Sequence, residues 1–478
     1  MSERVELEKT LSPFNVGALA LGSIIGFGCF ILPSDLMAKS GPLGAAIGIF
    51  LGAIIMIIIG RCYGFMVREV PVSGGEFAYA YTGFGRNHAY LCGWFLTLGY
   101  LSIVPLNATA LALLAKFIAP GLFEQGYLYT MAGYDVYAGE IALASAAIII
   151  FGYFNYRGVK DVGKVQLLMV GLLLGAVALI GGGTALNPDT SVANLLPPFA
   201  QDKGMIASIL AILAISPWLY VGFDTIPQAA EEYDFPPEKG FKLIFWSIFL
   251  GAVMYVIVLL STGMVFPWTE LVAGKHNWAT GYAMEHALGK SGVIFLVVGI
   301  SMAICTGING FYMATSRLLF GMARAKILPK WFVNVHETHK TPSNAILFIM
   351  LFSLLAPWFG RQVIVWVVDM AALGTTFGYA YTCFGCYIMA KNSTTITAQE
   401  SSTNKAWGLV GGAFSIGFLL LLCVPGSPGF MATQSWIALV GWVALGIVFY
   451  LSQTKEYNKL TKAELDYLIL GTEKPVSQ

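Results

Sequence analysis

The chain has 478 residues, of which 57% are hydrophobic and only 11% charged, and its mean hydropathy is +0.72. Soluble domains carry about 25% charged residues, so the composition excludes a soluble enzyme and a cytosolic nucleic-acid-binding protein. The formal net charge of +1, from 27 basic and 26 acidic residues, says little until the charges are placed along the chain.

Apolar runs long enough to cross a bilayer, about 20 residues each, recur twelve times. In chain order they cover roughly 14–38, 43–67, 89–115, 138–154, 165–186, 206–228, 241–266, 292–316, 344–358, 363–389, 408–424 and 436–452. Charges, prolines or polar clusters bound each of them, and the ninth is short and ends near Pro357. The runs do not alternate at period two, which excludes barrel strands. The expected architecture is therefore an all-α integral membrane protein of about twelve transmembrane helices. The acidic-basic head "MSERVELEK" does not read as a cleavable signal peptide, and the Lys/Glu-rich tail from 453 is expected to form a short interfacial helix.

With the amino terminus placed in the cytoplasm, 21 of the 27 basic residues fall on the cytoplasmic side. The six outside are Lys39, Lys116, Lys203, Lys275, Lys290 and Arg361. Cytoplasmic loops are enriched in Lys and Arg, so this bias predicts that both termini are cytoplasmic, and an odd number of spans would scramble it.

Two spans are visibly interrupted. The first contains "GALALGSIIGFGCFILP", with Gly17, Gly22, Gly26, Gly28 and Pro33; the sixth contains "AISPWLYVGFDTIPQAAEE", with Pro217, Gly222, Pro227 and the acid Asp224. An unwound turn inside a membrane exposes backbone groups, which is tolerated only where they line a cavity that a solute can enter. Interrupted helices in corresponding halves, five spans apart, point to an inverted-repeat transporter with its substrate held between the two breaks. Glycine-mediated helix packing is the alternative reading for either span alone.

The motifs "GSIIGFGCFILP", "PVSGGEFAYAYTGFG" and "NYRGVKDVGKVQ", followed by "WLYVGFDTIPQAAEE" and "TSRLLFGMARAKILPKWF", resemble amino acid permeases of the amino acid–polyamine–organocation (APC) family. They occur in family order between residue 14 and about 390. The resemblance implies a LeuT-like fold: a cytoplasmic segment 1–13, a ten-helix core over 14–390 with inverted repeats at 14–186 and 206–390, two extra helices in 406–452, and a cytoplasmic tail at 453–478. It implies no enzyme activity and no cofactor. The implied function is secondary active transport of an amino acid or related amine, as symporter or antiporter, in a bacterial inner membrane. A polyamine or modified amino acid is the alternative substrate, with a channel or a membrane enzyme as outside classes. The implied partners are the small-molecule substrate and the lipid bilayer, with no nucleic acid.

Carried over residue by residue, the resemblance places the first break at Ser23–Gly28, where Ser23, Ile24, Gly26, Phe27 and Gly28 cradle a carboxylate. In the sixth span Trp218 becomes an aromatic gate, and Tyr220, Val221 and Gly222 offer carbonyls to an amino group. Phe27 departs from the Ser, Thr or Gly usual in relatives and narrows the pocket. Asn107, Asn309, Thr375 and Thr376 are polar residues that either complete the pocket or bond between helices. Some proton-coupled relatives carry a Lys seven positions after a Val-Gln pair. Here the pair is Val165–Gln166 and the position is Leu173, so that carrier is absent. Exchange, another proton carrier, or sodium held partly by Thr306 remain open.

Two acids, Asp224 and Asp369, lie well inside spans, where a charge costs about 2.5–3.5 kcal/mol on insertion scales. Asp224 is read either as a proton carrier and latch or as an N-cap of the resumed helix. Asp369, below Arg361, is read either as an attractant for cationic substrates or as a residue paired within the protein. Glu231 and Glu232 are placed for inner-gate ion pairs or for solvent. "CFGC" at Cys383–Cys386 reads as small packing residues, and "HETH" at His336–His339 lacks a third ligand, so no metal site is expected. "NAT" at Asn107 has glycosylation spacing but lies within a span.

Overall fold

The computed structural model describes residues 4–131, 134–202, 204–274, 276, 278–360, 362–427 and 429–473. Lys203, Lys275, Arg361 and Lys474, which enter the sidedness count, lie outside these residues.

The first span is three pieces: α1 (Pro13–Ile24), α2 (Gly28–Ile31) and α3 (Pro33–Ser40). Ser12 begins α1 by accepting a hydrogen bond from the Asn15 amide at 3.3 Å, and the non-helical ψ of 87° at Ile25 ends it. Next come α4 (Pro42–Glu69), the short α5 (Glu76–Phe84), and α6 (Arg86–Ile118), which continues through Pro105. After α7 (Pro120–Phe123) the chain forms a hairpin of β1 (Tyr127–Met131) and β2 (Tyr134–Tyr137), antiparallel with an irregularity between Tyr127 and Tyr129. Among the described residues this pair is the one hairpin in an otherwise helical chain. It lies in a connection rather than a span, where a run of tyrosines favours extended backbone.

Two full spans follow, α8 (Ala138–Arg157) and α9 (Val159–Leu186). The sixth span is broken into α10 (Met205–Leu213), α11 (Ser216–Tyr220) and α12 (Thr225–Gln228). The second half continues with α13 (Gly240–Val265), α14 (Trp268–Ala273) and α15 (Ala279–Arg324). Expected only over 292–316, α15 runs further at both ends and is broken at Gly289, φ 60° and ψ −155°. The short ninth span is α16 (Ser343–Ser353) with a 3-10 turn at Ala356–Phe359. The chain ends with α17 (Gln362–Asn392), α18 (Ala398–Cys423), α19 (Thr433–Asn458) and α20 (Lys462–Leu470), the last in the expected tail helix. Eight of these helices (α4, α6, α8, α9, α13, α15, α18 and α19) are long and apolar enough to cross a membrane. The two broken spans, the short ninth and α17 bring the architecture to about twelve.

Packing follows polarity. The most apolar stretch of α6 is 83% inside the protein, against 22% for α19, so α6 is an interior helix and α19 a peripheral one. Helix α1 packs against α9, α13 and α15, and the sixth-span pieces reach α1, α4, α15 and α17. Helix α19 docks on α6 through Trp94 and Trp442, stacked 4.5 Å apart, each indole donating to the other's carbonyl at 3.1 Å.

The two described ends of the chain meet at one end of the bundle. Arg4 donates its amide to the Tyr467 hydroxyl of α20 at 3.1 Å, and Thr10 and Leu11 donate amides to the Glu232 carbonyl. Beneath this strap Arg317 holds Glu232 in a fork at 2.7 and 3.0 Å, and Arg324 holds Glu231 likewise at 2.8 and 2.9 Å. Glu231 also accepts from the Ser73 and Leu7 amides and pairs with Arg4. Burial opposes its charge, but Arg324 and then Arg4 outweigh that and hold the carboxyl at about 2. A depressed carboxylate stabilises the fold above its ordinary titration range and loses that contribution only as pH falls toward 2. Glu231 therefore stays ionised from mildly acidic to alkaline pH, and the two arginine–glutamate forks together form a latch at this end.

Arg317 and Glu232 are both buried, and removing one partner of such a pair costs about 3–5 kcal/mol. Arg317→Met is expected to lower the melting temperature in detergent sharply. Arg317→Met combined with Glu232→Leu should recover most of the loss; a double variant no better than the single one would show that the pair is not coupled.

Candidate functional site

The breaks in the first and sixth spans face each other. Val221 (φ −54°, ψ 132°) and Gly222 (φ 127°) turn the sixth span out of helical geometry. A Cβ placed on Gly222 would lie 2.6 Å from the carbonyl carbon of Ser23 and from the amide of Ile24. Only glycine lets these two backbones approach so closely in that conformation. On the other side of the break, a Cβ on Gly28 would meet the Trp218 ring at 2.6 Å, so the indole lies directly over this glycine.

Between the breaks is a cavity of about 30 Å³ lined by Ser23, Ile24, Gly26, Phe27, Gly28, Asn107, Trp218 and Val221, joined by Ile103, Leu106, Tyr255 and Phe311. At ~10–15 Å³ for each water, it has room for only two or three water molecules. Phe27 and Trp218 close it edge to face, with ring centroids 6.0 Å apart.

The backbone around the cavity is partly unspent. Among the described residues no hydrogen bond uses the amides of Phe27 and Gly28, and none ends on the carbonyl of Val221 or on that of Tyr220, a residue next to the lining rather than in it. The Asn107 side chain donates to the Ile103 carbonyl at 3.1 Å, while its Oδ1 is buried without a partner. The site thus presents two amides suited to a carboxylate, and carbonyl and amide oxygens suited to an ammonium or hydroxyl. Among the described residues no Lys, Arg, Asp, Glu or His lines it. Among the described residues no group of His, Cys, Asp and Glu is arranged to hold a metal ion.

Other expected residues lie off the cavity. The Tyr220 ring points to α4, its hydroxyl donating to the Ile49 carbonyl at 2.6 Å. The Gly222 carbonyl accepts from Thr225. Asn309 is the middle of a buried amide chain, accepting from Asn155 and donating to Gln166, both at 2.8 Å. Thr375 and Thr376 bond back to carbonyls of their own helix, as hydroxyls in membrane helices do. Ser23 lines the cavity, but its hydroxyl is committed to the Leu19 carbonyl at 2.7 Å. Thr306 donates within its own helix and to the Gly22 carbonyl at 2.9 Å, joining α15 to the end of α1 just before the break.

The two intramembrane acids behave differently. Asp224 makes no capping bond to α12; its Oδ1 accepts from the Gly222 amide at 2.8 Å and its Oδ2 is buried without a donor. Asp369 accepts from the Ala432 amide at 3.0 Å and the Ser435 hydroxyl at 2.6 Å, through the same oxygen. It ties down the start of α19 and is not among the cavity-lining residues. Ile103 and Leu106 went unread in the sequence, although they share one face of α6 with Asn107 at helical spacing. Tyr255 and Phe311 carry no such signal, being ordinary apolar residues of apolar helices.

A multi-pass helical membrane protein built round two facing broken helices, with unpaired backbone groups turned on a closed cavity, has the architecture of a small-solute transporter. The chain belongs to the amino acid permease family, whose model matches residues 11–449, within the APC superfamily; it is a membrane transporter of amino acids or related compounds and not an enzyme. It is 27% identical to the methylthioribose transporter of Bacillus subtilis, over 96% of each chain. It is 23% identical to a branched-chain amino acid permease of the same organism, over 95% of each. It is also 27% identical to the mouse large neutral amino acids transporter small subunit 2, over 73% of this chain and 65% of the relative.

Gly222→Ala forces a side chain into the Ser23–Ile24 backbone and a conformation kept for glycine, a strain of about 1–3 kcal/mol. It should lower the melting temperature and abolish uptake, while Gly17→Ala, whose nearest contact would be an ordinary 3.5 Å, should be silent in both assays. Asp369→Ala should cost about 1 kcal/mol, as loss of a helix cap does. It should leave the ratio of cationic to neutral substrate uptake unchanged; a selective loss of cationic substrates would return Asp369 to the substrate path.

Proposed function

We propose that this protein moves a neutral, largely apolar amino acid, or a neutral compound of similar size, across the cell membrane by alternating access. The observation that carries this reading is the cavity between the two breaks. Its polar side chains are Asn107, Tyr255 and Ser23, the last committed to the Leu19 carbonyl, and its walls are otherwise Ile24, Phe27, Ile103, Leu106, Trp218, Val221 and Phe311. The Phe27 and Gly28 amides bind the carboxylate; the Tyr220 and Val221 carbonyls and Asn107 Oδ1 bind the amino group. Ser23, Ile24 and Gly26 shape the carboxylate side, and Phe27 with Trp218 grips the side chain. A cationic side chain would find no counter-charge there and would bear the cost of desolvation. The relatives' names support a neutral substrate, since they specify methylthioribose, branched-chain amino acids and large neutral amino acids.

The energy source is an ion gradient or exchange. The positive-inside bias supports an orientation with both termini in the cytoplasm, and the bacterial relatives support the inner membrane. The arginine–glutamate latch then closes the cytoplasmic side in this conformation, and transport requires Arg317 and Arg324 to release the end of the sixth span. Asp224, two residues from the unwound turn, gates that movement, and Thr306 fastens the first break to α15. A charged polyamine is disfavoured by the cavity's apolar wall.

Purified protein in proteoliposomes loaded with unlabelled L-leucine, L-phenylalanine or 5-methylthioribose should show counterflow of the labelled compound for at least one of the three. Trp218→Ala should weaken that substrate by about tenfold or more, the equivalent of ~1.4 kcal/mol. Phe27→Ala should shift preference toward larger substrates. Unchanged affinity and flux in Trp218→Ala would place the substrate elsewhere.

A further inference from the structure

Below the cavity, toward the end that carries the latch, lies a second polar cluster that the substrate contacts leave unused. Glu76, the first residue of α5, is fully buried. Its Oε1 accepts from the Tyr100 hydroxyl at 3.0 Å, and its Oε2 accepts from the Gln228 side-chain amide of α12. The Tyr100 hydroxyl also lies 3.1 Å from the Asp224 carbonyl, so one phenol on α6 bridges the two acidic residues. Asp224 is likewise fully buried, with Oδ2 lacking any donor. The other titratable groups facing the pair are Tyr63 from α4, Tyr79 beside Glu76 on α5, Cys92 from α6 and Tyr379 from α17. Among the described residues the Tyr79 hydroxyl is buried without a partner. No Lys, Arg or His bonds to either carboxylate among the described residues; the nearby arginines are committed to Glu231 and Glu232.

Two carboxylates in one dry pocket with no cation do not both ionise, because each pays desolvation and repels the other. We propose that Glu76 and Asp224 together form a proton-binding site that holds one proton in this closed conformation and releases it when the latch end opens. This extends the transport reading above and rests on it. The proton belongs to the pair rather than to one oxygen: binding converts one carboxylate to a carboxyl, and release restores the second negative charge. Burial first, and Asp224 next, push Glu76 up to about 8. The sign follows from linkage: an acid with a raised pKa stabilises the conformation that raises it at low pH, and that advantage fades as pH rises through about 8. The mechanical route is short. Asp224 holds the Gly222 amide, Gly222 packs on the first break, and Glu76 anchors α5 to α12 through Gln228. With both acids ionised, repulsion drives α5 away from the sixth span and loosens the closed end. Glu76 touches no cavity-lining residue in these contacts and acts on transport as a positioning and proton-binding residue.

Two measurements test this. The first needs no substrate: the infrared C=O stretch of a protonated carboxyl, followed in wild-type protein from acidic to alkaline pH. A band that persists at neutral pH, disappears near pH 8 and is missing from Glu76→Gln and Asp224→Asn is expected. Its absence from the wild type, or its persistence in both variants, would overturn the proposal. The second uses L-leucine, L-phenylalanine and 5-methylthioribose in proteoliposomes, with and without an imposed pH gradient. A one-unit gradient supports about tenfold accumulation at one proton per substrate. Wild type should accumulate to that extent, whereas Glu76→Gln should lose it and keep counterflow at equal pH. Gradient-driven accumulation retained in Glu76→Gln would sink the idea. Should Glu76→Gln not fold, Tyr100→Phe, which removes the bridging hydroxyl, serves instead with the same expected split. Failure of counterflow for all three compounds would count against the transport reading, and the infrared titration would still decide the carboxylate pair.

Discussion

A helix that unwinds inside a membrane leaves amides and carbonyls where no bulk water can reach them, and this protein is organised around two such places. The breaks at Ile25–Phe27 and Val221–Phe223 face one another, and Gly222 lets their backbones touch at Ser23 and Ile24. The cost of unpaired backbone is limited because the breaks are few, short and turned inward. Helices α6, α13 and α15 supply Asn107, Tyr255 and Phe311 to wall the space. The remaining polar groups nearby are spent elsewhere: Thr306 on Gly22, Ser23 on Leu19, and Asn309 within an amide chain. What is left unspent is a small set of groups that match the two ends of an amino acid.

The sixth span connects this cavity to the end of the bundle where the chain's two ends meet. Within a dozen residues it carries Val221 at the cavity, Gly222 against the first break, Asp224 beside Glu76, Gln228 on Glu76, and Glu231 and Glu232 in the arginine forks. Two electrostatic regimes meet along it. The Glu231 and Glu232 carboxylates are paired with arginines, and Arg324 and Arg4 keep Glu231 charged over the ordinary pH range. Asp224 and Glu76 face only phenols, a thiol and amides, so burial and mutual repulsion govern them. The first regime fastens this end mechanically, and the second underlies the proton binding proposed for the pair.

Much of the cavity was legible in the sequence because its polar contacts are backbone groups, and backbone is freed where Gly and Pro interrupt an apolar run. Ser23, Ile24, Gly26, Phe27, Gly28, Trp218 and Val221 all followed from that signal and from the family motifs. Asn309 and Thr375 did not join them. A buried amide or hydroxyl in a membrane helix reads the same whether it faces a solute or another helix, and here both bond within the protein. Asp369 was ambiguous for the same reason; its partner is the start of α19, more than sixty residues along the chain. Glu76 stood in a recognised motif next to two glycines, but its depth became visible only once α5 was folded under α6 and α12.

The solvent, the number and order of the spans, the two places where helices open and the family were all readable from the residues in chain order. Those properties depend on local composition: a run of apolar residues must enter a membrane, and a glycine-rich interruption must unwind in it, wherever the rest of the chain goes. Which polar groups remain free after folding depended on how the helices came together, and the packed fold set that. It closed the cavity to about 30 Å³ with Phe27 and Trp218, joined the arginines to Glu231 and Glu232, and brought two acids 148 positions apart in the chain, Glu76 and Asp224, under one tyrosine. Such pairings are long-range, and the energy of a buried charge or amide is set by the partner it meets rather than by its neighbours in the chain.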